Sequence, residues 1–338
     1  MHPSPQRTSG SSETSESEVR KKPRRGLRGA GIAAVVVLGL ILISTVINAV
    51  LEASEKSSMA AYGERTAVGS GTLNVYRNGP EDGQPIVLLS GLGTPAPGLD
   101  FAPLVRELKG FNAIVVERFG YGYSDMEAPP RTNENISSEL HEALAKLQVQ
   151  KPYVLAGHSI AGFYMLDYVN RYPGEVSAVV GIDASIPKAG DGPVPDPEPD
   201  LNWQKALAFT GIVRAVSAAV SDFVDPASDA YAEDELQRMR LMTSWNYGNS
   251  AVADETARIA NNAAALRGVS YPDDLPVLAF IADEKPASTA TKTAAAQNLL
   301  ENVKRHEIVT LEGHHYLHWT QSKRMAERIR AFLTGDGG

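Results

Sequence analysis

Polar residues give way to an unbroken apolar run near the start of the chain. Residues 1–18 are rich in Ser, Thr, Pro and Glu and offer almost nothing to bury, which predicts a disordered segment. A basic cluster follows: Arg20, Lys21, Lys22, Arg24, Arg25 and Arg28. Gly29 through Leu51 then carries no charged residue over 23 positions and has no polar face, long enough for a helix to span a hydrocarbon core. The positive flank predicts a cytoplasmic N-terminus and a body outside the membrane. A cleaved signal peptide is the alternative, but its apolar core runs only about 7–15 residues. Residues 52–66, Glu- and Ser-rich, read as a linker or short stalk helix.

From about residue 67 the pattern changes to short apolar runs alternating with helical spacing. Thr72–Tyr76 alternates with period two and leads to Asn78-Gly79, a hairpin-type turn signal. Ile86–Leu89, Ala113–Val116, Tyr153–Ala156, Ala178–Ile182, Val277–Ile281 and Glu307–Val309 read as strands. Helices are expected over Phe101–Lys109, Ile136–Leu147, after Ser159 as far as Tyr172-Pro173-Gly174, and over Lys323–Leu333. Near-continuous apolar strands alternating with helices predict an α/β fold with a mostly parallel sheet covered on both faces. Between Ile186 and Ser270 the alternation stops. Residues 187–200 are Pro- and Asp-rich, and Leu201–Arg267 shows helical segments without strands. The organisation predicted is a basic tail (1–28), a transmembrane helix (29–51), a linker (52–66), a core (67–186 and 271–334) and a helical lid or cap (187–270).

Composition narrows the function classes. Net charge is −8, yet residues 1–28 hold seven Lys/Arg against three Glu, leaving −12 on the rest. An acidic body does not fit a nucleic-acid binder. The absence of cysteine excludes disulfides, thiol catalysis and Cys-ligated metals.

The chemistry-bearing pattern is Gly157-His158-Ser159-Ile160-Ala161-Gly162, set between an apolar strand and a helix. A serine at the apex of a sharp strand-to-helix turn is a nucleophile elbow. The turn needs small neighbours so that strand and helix can approach. Here the last small position is Ala161, with Gly162 one step later. A serine at this place points to acyl transfer, usually hydrolysis of an ester, thioester or amide.

Three further motifs accompany it in order. Ser90-Gly91-Leu92-Gly93 follows a strand, Glu117–Ser124 reads E-R-F-G-Y-G-Y-S after the next, and Gly313-His314-His315-Tyr316-Leu317-His318 follows the last. With these four the chain resembles the alpha/beta-hydrolase superfamily over roughly residues 70–334. The motifs correspond to the family's oxyanion loop, its D-R-x-G-x-G-x-S loop, the elbow, and its G-H-F-L-H segment, here with one residue extra. Ser90 stands for the usual His, Glu117 for Asp and Ala161 for Gly.

The resemblance implies a catalytic triad with Ser159 as nucleophile. Tyr316-Leu317-His318 matches the aromatic-Leu-His triplet that follows the family's catalytic histidine, so His315 is the expected base. His314 then takes the place of the Gly, and His318 packs nearby. The acid is most often an aspartate in G-x-x-D after strand seven. This chain has Ala282-Asp283-Glu284-Lys285 there, with lysine at the aspartate's place. A second family location, the end of strand six, holds Gly181-Ile182-Asp183. Asp183 is therefore the expected acid, with Asp283 and Glu284 as alternatives. Backbone N–H groups of Leu92 and Ile160 are the expected oxyanion donors.

No metal or organic cofactor is required. His141 and His306 are expected in structural roles, and Trp203 and Trp245 as packing residues or as lining of an acyl pocket. The predicted protein is a membrane-anchored serine hydrolase, carboxylesterase- or lipase-like, acting on a small-molecule or lipid-like acyl substrate. Peptidase, acyltransferase and haloperoxidase activities remain open. A catalytically degenerate binding protein on the same fold is the second reading.

Overall fold

In a computed structural model of the chain, the structure describes residues 25–187, 195–196, 202–220 and 225–335. The expected disordered stretch at 1–18 and most of the Pro- and Asp-rich stretch lie outside these residues. Two compact units divide between Ile43 and Ser44. The first contributes, among the described residues, the N-terminal part of helix α1 (Arg25–Ser58), whose apolar side chains from Ile32 onward are exposed. The stretch Gly29–Ser58 is long and apolar enough to cross a membrane, a property shared by spans and signal sequences. The helix does not stop at Leu51 but continues through half of the expected linker.

The second unit is built on an eight-stranded sheet in the order β1-β2-β4-β3-β5-β6-β7-β8. Its strands are β1 (Glu64–Val68), β2 (Gly71–Asn78), β3 (Gln84–Leu89), β4 (Phe111–Glu117), β5 (Tyr153–His158), β6 (Val176–Ile182), β7 (Val277–Asp283) and β8 (His306–Glu312). β1 and β2 run antiparallel at one edge; β4, β3 and β5 to β8 are mutually parallel. The hairpin turn expected at Asn78-Gly79 is not a hairpin between neighbours. β2 pairs with β4, and the tight turn lies at Gly69-Ser70, joining β2 to β1.

Successive side chains of a strand point to opposite faces, and both faces are buried here. Val87 and Leu89 of β3 join Leu155 and Val179 against α4 (Asn133–Lys146) and α5 (Ala161–Arg171). Ile86 and Leu88 join Val154, Val180, Leu278 and Phe280 on the other face. That face is covered by the short helices α2 (Pro97–Asp100) and α3 (Ala102–Glu107) and by the C-terminal helix, through Phe101, Leu104, Met325 and Ile329. The strands β3 to β7 thus satisfy two cores at once, which is why their sequences are apolar without alternation.

The insertion after β6 contributes α6 (Trp203–Phe209), α7 (Ile212–Ala219), α8 (Glu233–Asn246), α9 (Ser250–Ala257) and α10 (Ile259–Ala265), with no strand among the described residues. The chain then returns through β7, α11 (Pro286–Leu299), β8, α12 (Leu317–Thr320) and α13 (Ser322–Thr334).

Candidate active site

Because β3, β5, β6 and β8 are parallel, their C-terminal ends open onto one edge of the sheet, where loops can converge. Register brings two of these ends together: His158 of β5 stands beside Ile182 of β6, and the next N–H, of Ser159, donates to the Ile182 carbonyl at 3.2 Å. Ser159 and Asp183 therefore leave the sheet side by side.

Ser159 has φ of +54°, a conformation that costs energy for any residue with a Cβ. The elbow is held from both sides. A Cβ added at Gly157 would come within 2.8 Å of the Ala161 Cβ, and one at Gly162 within 2.3 Å of the Ser185 carbonyl oxygen. Glycine at 157 leaves room for alanine at 161, and the close approach to the loop after β6 is made at Gly162 instead. This accounts for the departure from G-x-S-x-G.

His315, on the loop after β8, reaches back over Ser159. Its Nε2 lies 2.9 Å from Ser159 Oγ, and its Nδ1 lies 2.5 Å from Asp183 Oδ2. With Nδ1–H donating to the carboxylate, Nε2 is left to accept from the serine hydroxyl. Asp183 also has positive φ (+42°), and its side chain is fully buried. Its Oδ1 accepts from the Ala282 N–H at 3.1 Å, and Oδ2 accepts additionally from Lys292 Nζ at 2.6 Å. Burial acts to raise the Asp183 carboxyl, but the hydrogen bonds from His315, Lys292 and Ala282 outweigh it and hold the carboxyl below its ordinary value.

The alternatives for the acid have other partners. Asp283 is exposed and accepts from Thr289 Oγ1 at 2.9 Å. Glu284 accepts the backbone N–H of His315 at 2.8 Å, so it holds the loop and not the ring. Four other imidazoles among the described residues are held by other partners. Burial pushes His158 well below its ordinary value, with His318 and His315 adding to the effect. It is therefore neutral, and its Nε2–H donates to the His315 carbonyl at 3.1 Å. His318 is buried with Nε2 2.8 Å from Asp100 Oδ2, and Trp319 Nε1 donates to Asp100 Oδ1 at 2.8 Å. His141 stacks on Tyr172 at 3.9 Å, and His306 Nδ1 donates to the Val303 carbonyl at 2.7 Å. No cluster of metal-ligating residues occurs among the described residues.

Ile160 stands at the N-cap of α5, where the helix itself leaves the backbone N–H without a partner and the dipole favours negative charge. Leu92 is on the loop after β3, next to Gly91, at which an added Cβ would lie 3.3 Å from the Ser159 Cβ. Gly91 is required there, since a Cβ would meet His158 Nδ1 at 2.7 Å. The loop is braced by a buried ion pair between residues 137 positions apart, which no local sequence pattern marks. Arg118 Nη1 donates to the Ser90 carbonyl at 2.9 Å, and its Nη2 pairs with Glu255 of α9 at 3.0 Å. Tyr121 and Tyr164 donate to the same carboxylate at 2.8 and 2.7 Å, and the Gly93 N–H donates to Tyr121 Oη at 3.1 Å.

Beside the loop is a cavity of about 130 Å³, lined among others by Gly93, Met239, Thr243, Tyr316 and Trp319. Trp203, expected as a possible lining residue, is 59% exposed instead, and Trp245 donates through Nε1 to Glu55 at 3.0 Å.

Lys292 was equally invisible in the sequence, being 109 residues from Asp183 on a helix with no distinguishing pattern. A carboxyl whose folded pKa is depressed stabilises the fold above its unfolded pKa, and that contribution is lost as pH falls through the folded value. Lys292→Met removes one source of the depression. The acid-unfolding midpoint, followed by circular dichroism, is expected to move to higher pH; an unchanged midpoint would mean that the Lys292 contact does not matter.

The sequence matches the alpha/beta hydrolase family over residues 86–328. It is 32% identical over 117 residues to an uncharacterized protein of Bacillus subtilis (34% of this chain, 36% of that protein). It is 30% identical over 134 residues to Lipase 1 of Psychrobacter immobilis (37% and 41%). These two alignments span well under half the length of either relative. The fold is similar to that of carboxylesterase CesB from Bacillus subtilis, with a TM-score of 0.54 and 16% identity over 86% of this chain and 99% of that one.

Proposed function

The chain belongs to the alpha/beta hydrolase family, and on that premise we propose that it is a membrane-anchored serine hydrolase cleaving a carboxylic ester or related acyl bond. The observation that carries this reading is the continuous relay from Ser159 Oγ through His315 to a buried carboxylate, 2.9 and 2.5 Å per step, with the serine held at positive φ.

His315 takes the Ser159 proton as the oxygen attacks the carbonyl carbon. Asp183 keeps the imidazole in the tautomer that accepts at Nε2 and stabilises the imidazolium once formed. The developing oxyanion is received by the N–H groups of Ile160 and Leu92. His315 then protonates the leaving alkoxide, and water, activated by the same imidazole, hydrolyses the acyl-enzyme. The Arg118–Glu255 pair keeps the Ser90–Gly93 loop in register, so the donors need no rearrangement when charge appears.

The names of the similar proteins, a lipase and a carboxylesterase, support an ester substrate. The length of the apolar stretch and its basic flank support a retained, single-pass anchor with the catalytic unit extracytoplasmic. The test is direct. The full chain, expressed in bacterial membranes, is expected to resist extraction by alkaline carbonate and to hydrolyse p-nitrophenyl esters after solubilisation in mild detergent. Hydrolysis with release by carbonate would keep the enzyme and discard the anchor. Carbonate resistance without hydrolysis of any chain length would discard the enzyme.

A further inference from the structure

Outside α1, six large apolar side chains are exposed among the described residues: Trp203, Phe209, Ile212, Val216, Val220 and Tyr247. Scattered exposed hydrophobics need no explanation, but five of these six fall within or directly after α6 and α7. Phe209 is 66% exposed and Val216 is 52% exposed. Ile212, Val216 and Val220 repeat every four residues and form one stripe of the helix. The charged residues of the hairpin, Lys205 and Arg214, are both cationic. Apolar stripe, tryptophan and cationic charge without acids make the composition of a helix that lies in a membrane interface.

The same hairpin is fastened to residues 44–58 of α1, which belong to the catalytic unit. Ser44 Oγ donates to the Thr210 carbonyl at 2.7 Å, and Asn48 Nδ2 to the Ala208 carbonyl at 3.3 Å. Arg214 donates through Nε to Asn48 Oδ1 at 2.8 Å and through Nη1 to Glu55 at 2.7 Å. Gly211, with φ of +80°, makes the turn so close to α1 that a Cβ there would lie 3.1 Å from the Asn48 Cβ. Ser44 and Asn48 are thus the points of attachment, polar positions inside the last two turns of the apolar run. At 1.5 Å rise per residue they lie roughly 10 and 5 Å before Leu51 along the axis. If the run spans a bilayer, a hairpin bound at that height meets the membrane–water boundary.

We propose that the α6–α7 hairpin is a second membrane contact, lying in the plane of the leaflet from which α1 emerges, with its apolar stripe among the lipids. The inference rests on the reading of α1 as a retained span. It has a consequence for the site. The next helix among the described residues, α8, supplies Met239 and Thr243 to the cavity beside Gly93, and its Trp245 is tied to Glu55 of α1. The cavity wall is then one helix away from the lipid.

The chain has no cysteine, so single labels can be placed without background. Phe209→Cys, Val216→Cys, Leu42→Cys and Asn298→Cys, each carrying an environment-sensitive fluorophore, are reconstituted as full-length protein in phosphatidylcholine–phosphatidylglycerol vesicles containing nitroxide lipids. Asn298, exposed on α11, serves as the reference in water. The expected result is about two-fold loss of emission at 209 and 216 with nitroxides near the headgroups, matching insertion of roughly 5–10 Å. Position 42 is expected to be quenched by nitroxides deep in the acyl region, and position 298 by neither. Quenching at 42 with 209 and 216 behaving like 298 would overturn the hairpin contact while keeping the span. Loss of quenching at 42 would overturn the span, and the inference with it. A shielded, unquenched 209 whose emission depends on protein density would show that a second copy covers the face instead, and would equally overturn the proposal.

Discussion

Ser159→Ala is expected to lower kcat for p-nitrophenyl ester hydrolysis by roughly 10⁴–10⁶-fold while leaving KM within a few-fold. The large loss follows from the relay acting as a unit. Without Oγ there is no acyl-enzyme, and His315 loses the one hydroxyl that is positioned to give it a proton. The small change in binding follows because the hydroxyl makes one hydrogen bond, to His315, and alanine keeps the Cβ that the elbow already accommodates. The far-UV spectrum and thermal midpoint of the variant should stay close to those of the parent. A variant that retained a tenth of the activity would move the nucleophile elsewhere.

Asp183→Asn has the second largest expected effect, a loss of roughly 10⁴-fold in kcat. The amide offers a donor as well as an acceptor to His315 Nδ1. When it donates, it selects the tautomer with the proton on Nε2, which can no longer take the serine proton. The Ala282 N–H favours that outcome, because it claims Oδ1 as an acceptor and so leaves the amide NH2 at the position facing His315, against the pull of Lys292, which shares Oδ2 with His315. Asp283→Ala should change kcat by less than about two-fold, since that carboxylate bonds Thr289. Glu284→Ala should fall between them, as it loses the acceptor for the His315 N–H and loosens the loop without touching the ring. Equal losses at Asp183 and Glu284 would mean that the carboxylates share the role.

Much of this arrangement was legible before the structure, for physical reasons specific to each element. Strands buried on both faces are apolar without interruption, so β3 to β7 stood out as short hydrophobic runs. The elbow stood out because strained φ and close packing demand a particular local order of small residues around Ser159. Asp183, the residue after β6, was expected as the acid through the family resemblance, with Asp283 and Glu284 as alternatives. β1 was missed: with its first two residues exposed at the sheet edge, it looks like polar linker. The helix through residues 52–58 is one of the two readings that the sequence allows, since Glu and Ser suit a linker and a stalk helix equally well. Lys292, Glu255 and Asp100 were missed for a different reason. Their partners lie 109, 137 and 218 residues away, and nothing in the local pattern marks a charge that will be neutralised by a distant element. Trp203, expected to pack in the lid or to line a pocket, is exposed instead, because an aromatic residue within a helical stretch does not by itself mark which side of the helix is covered.

The proposed hydrolysis requires Ser159 to be an activated nucleophile. Intact-mass spectrometry after incubation with a fluorophosphonate measures this without knowledge of the natural substrate. One covalent adduct per folded chain is expected, located at Ser159 by peptide mapping and absent from Ser159→Ala. A folded parent protein that stays unmodified, or an adduct that persists in the alanine variant, would contradict it.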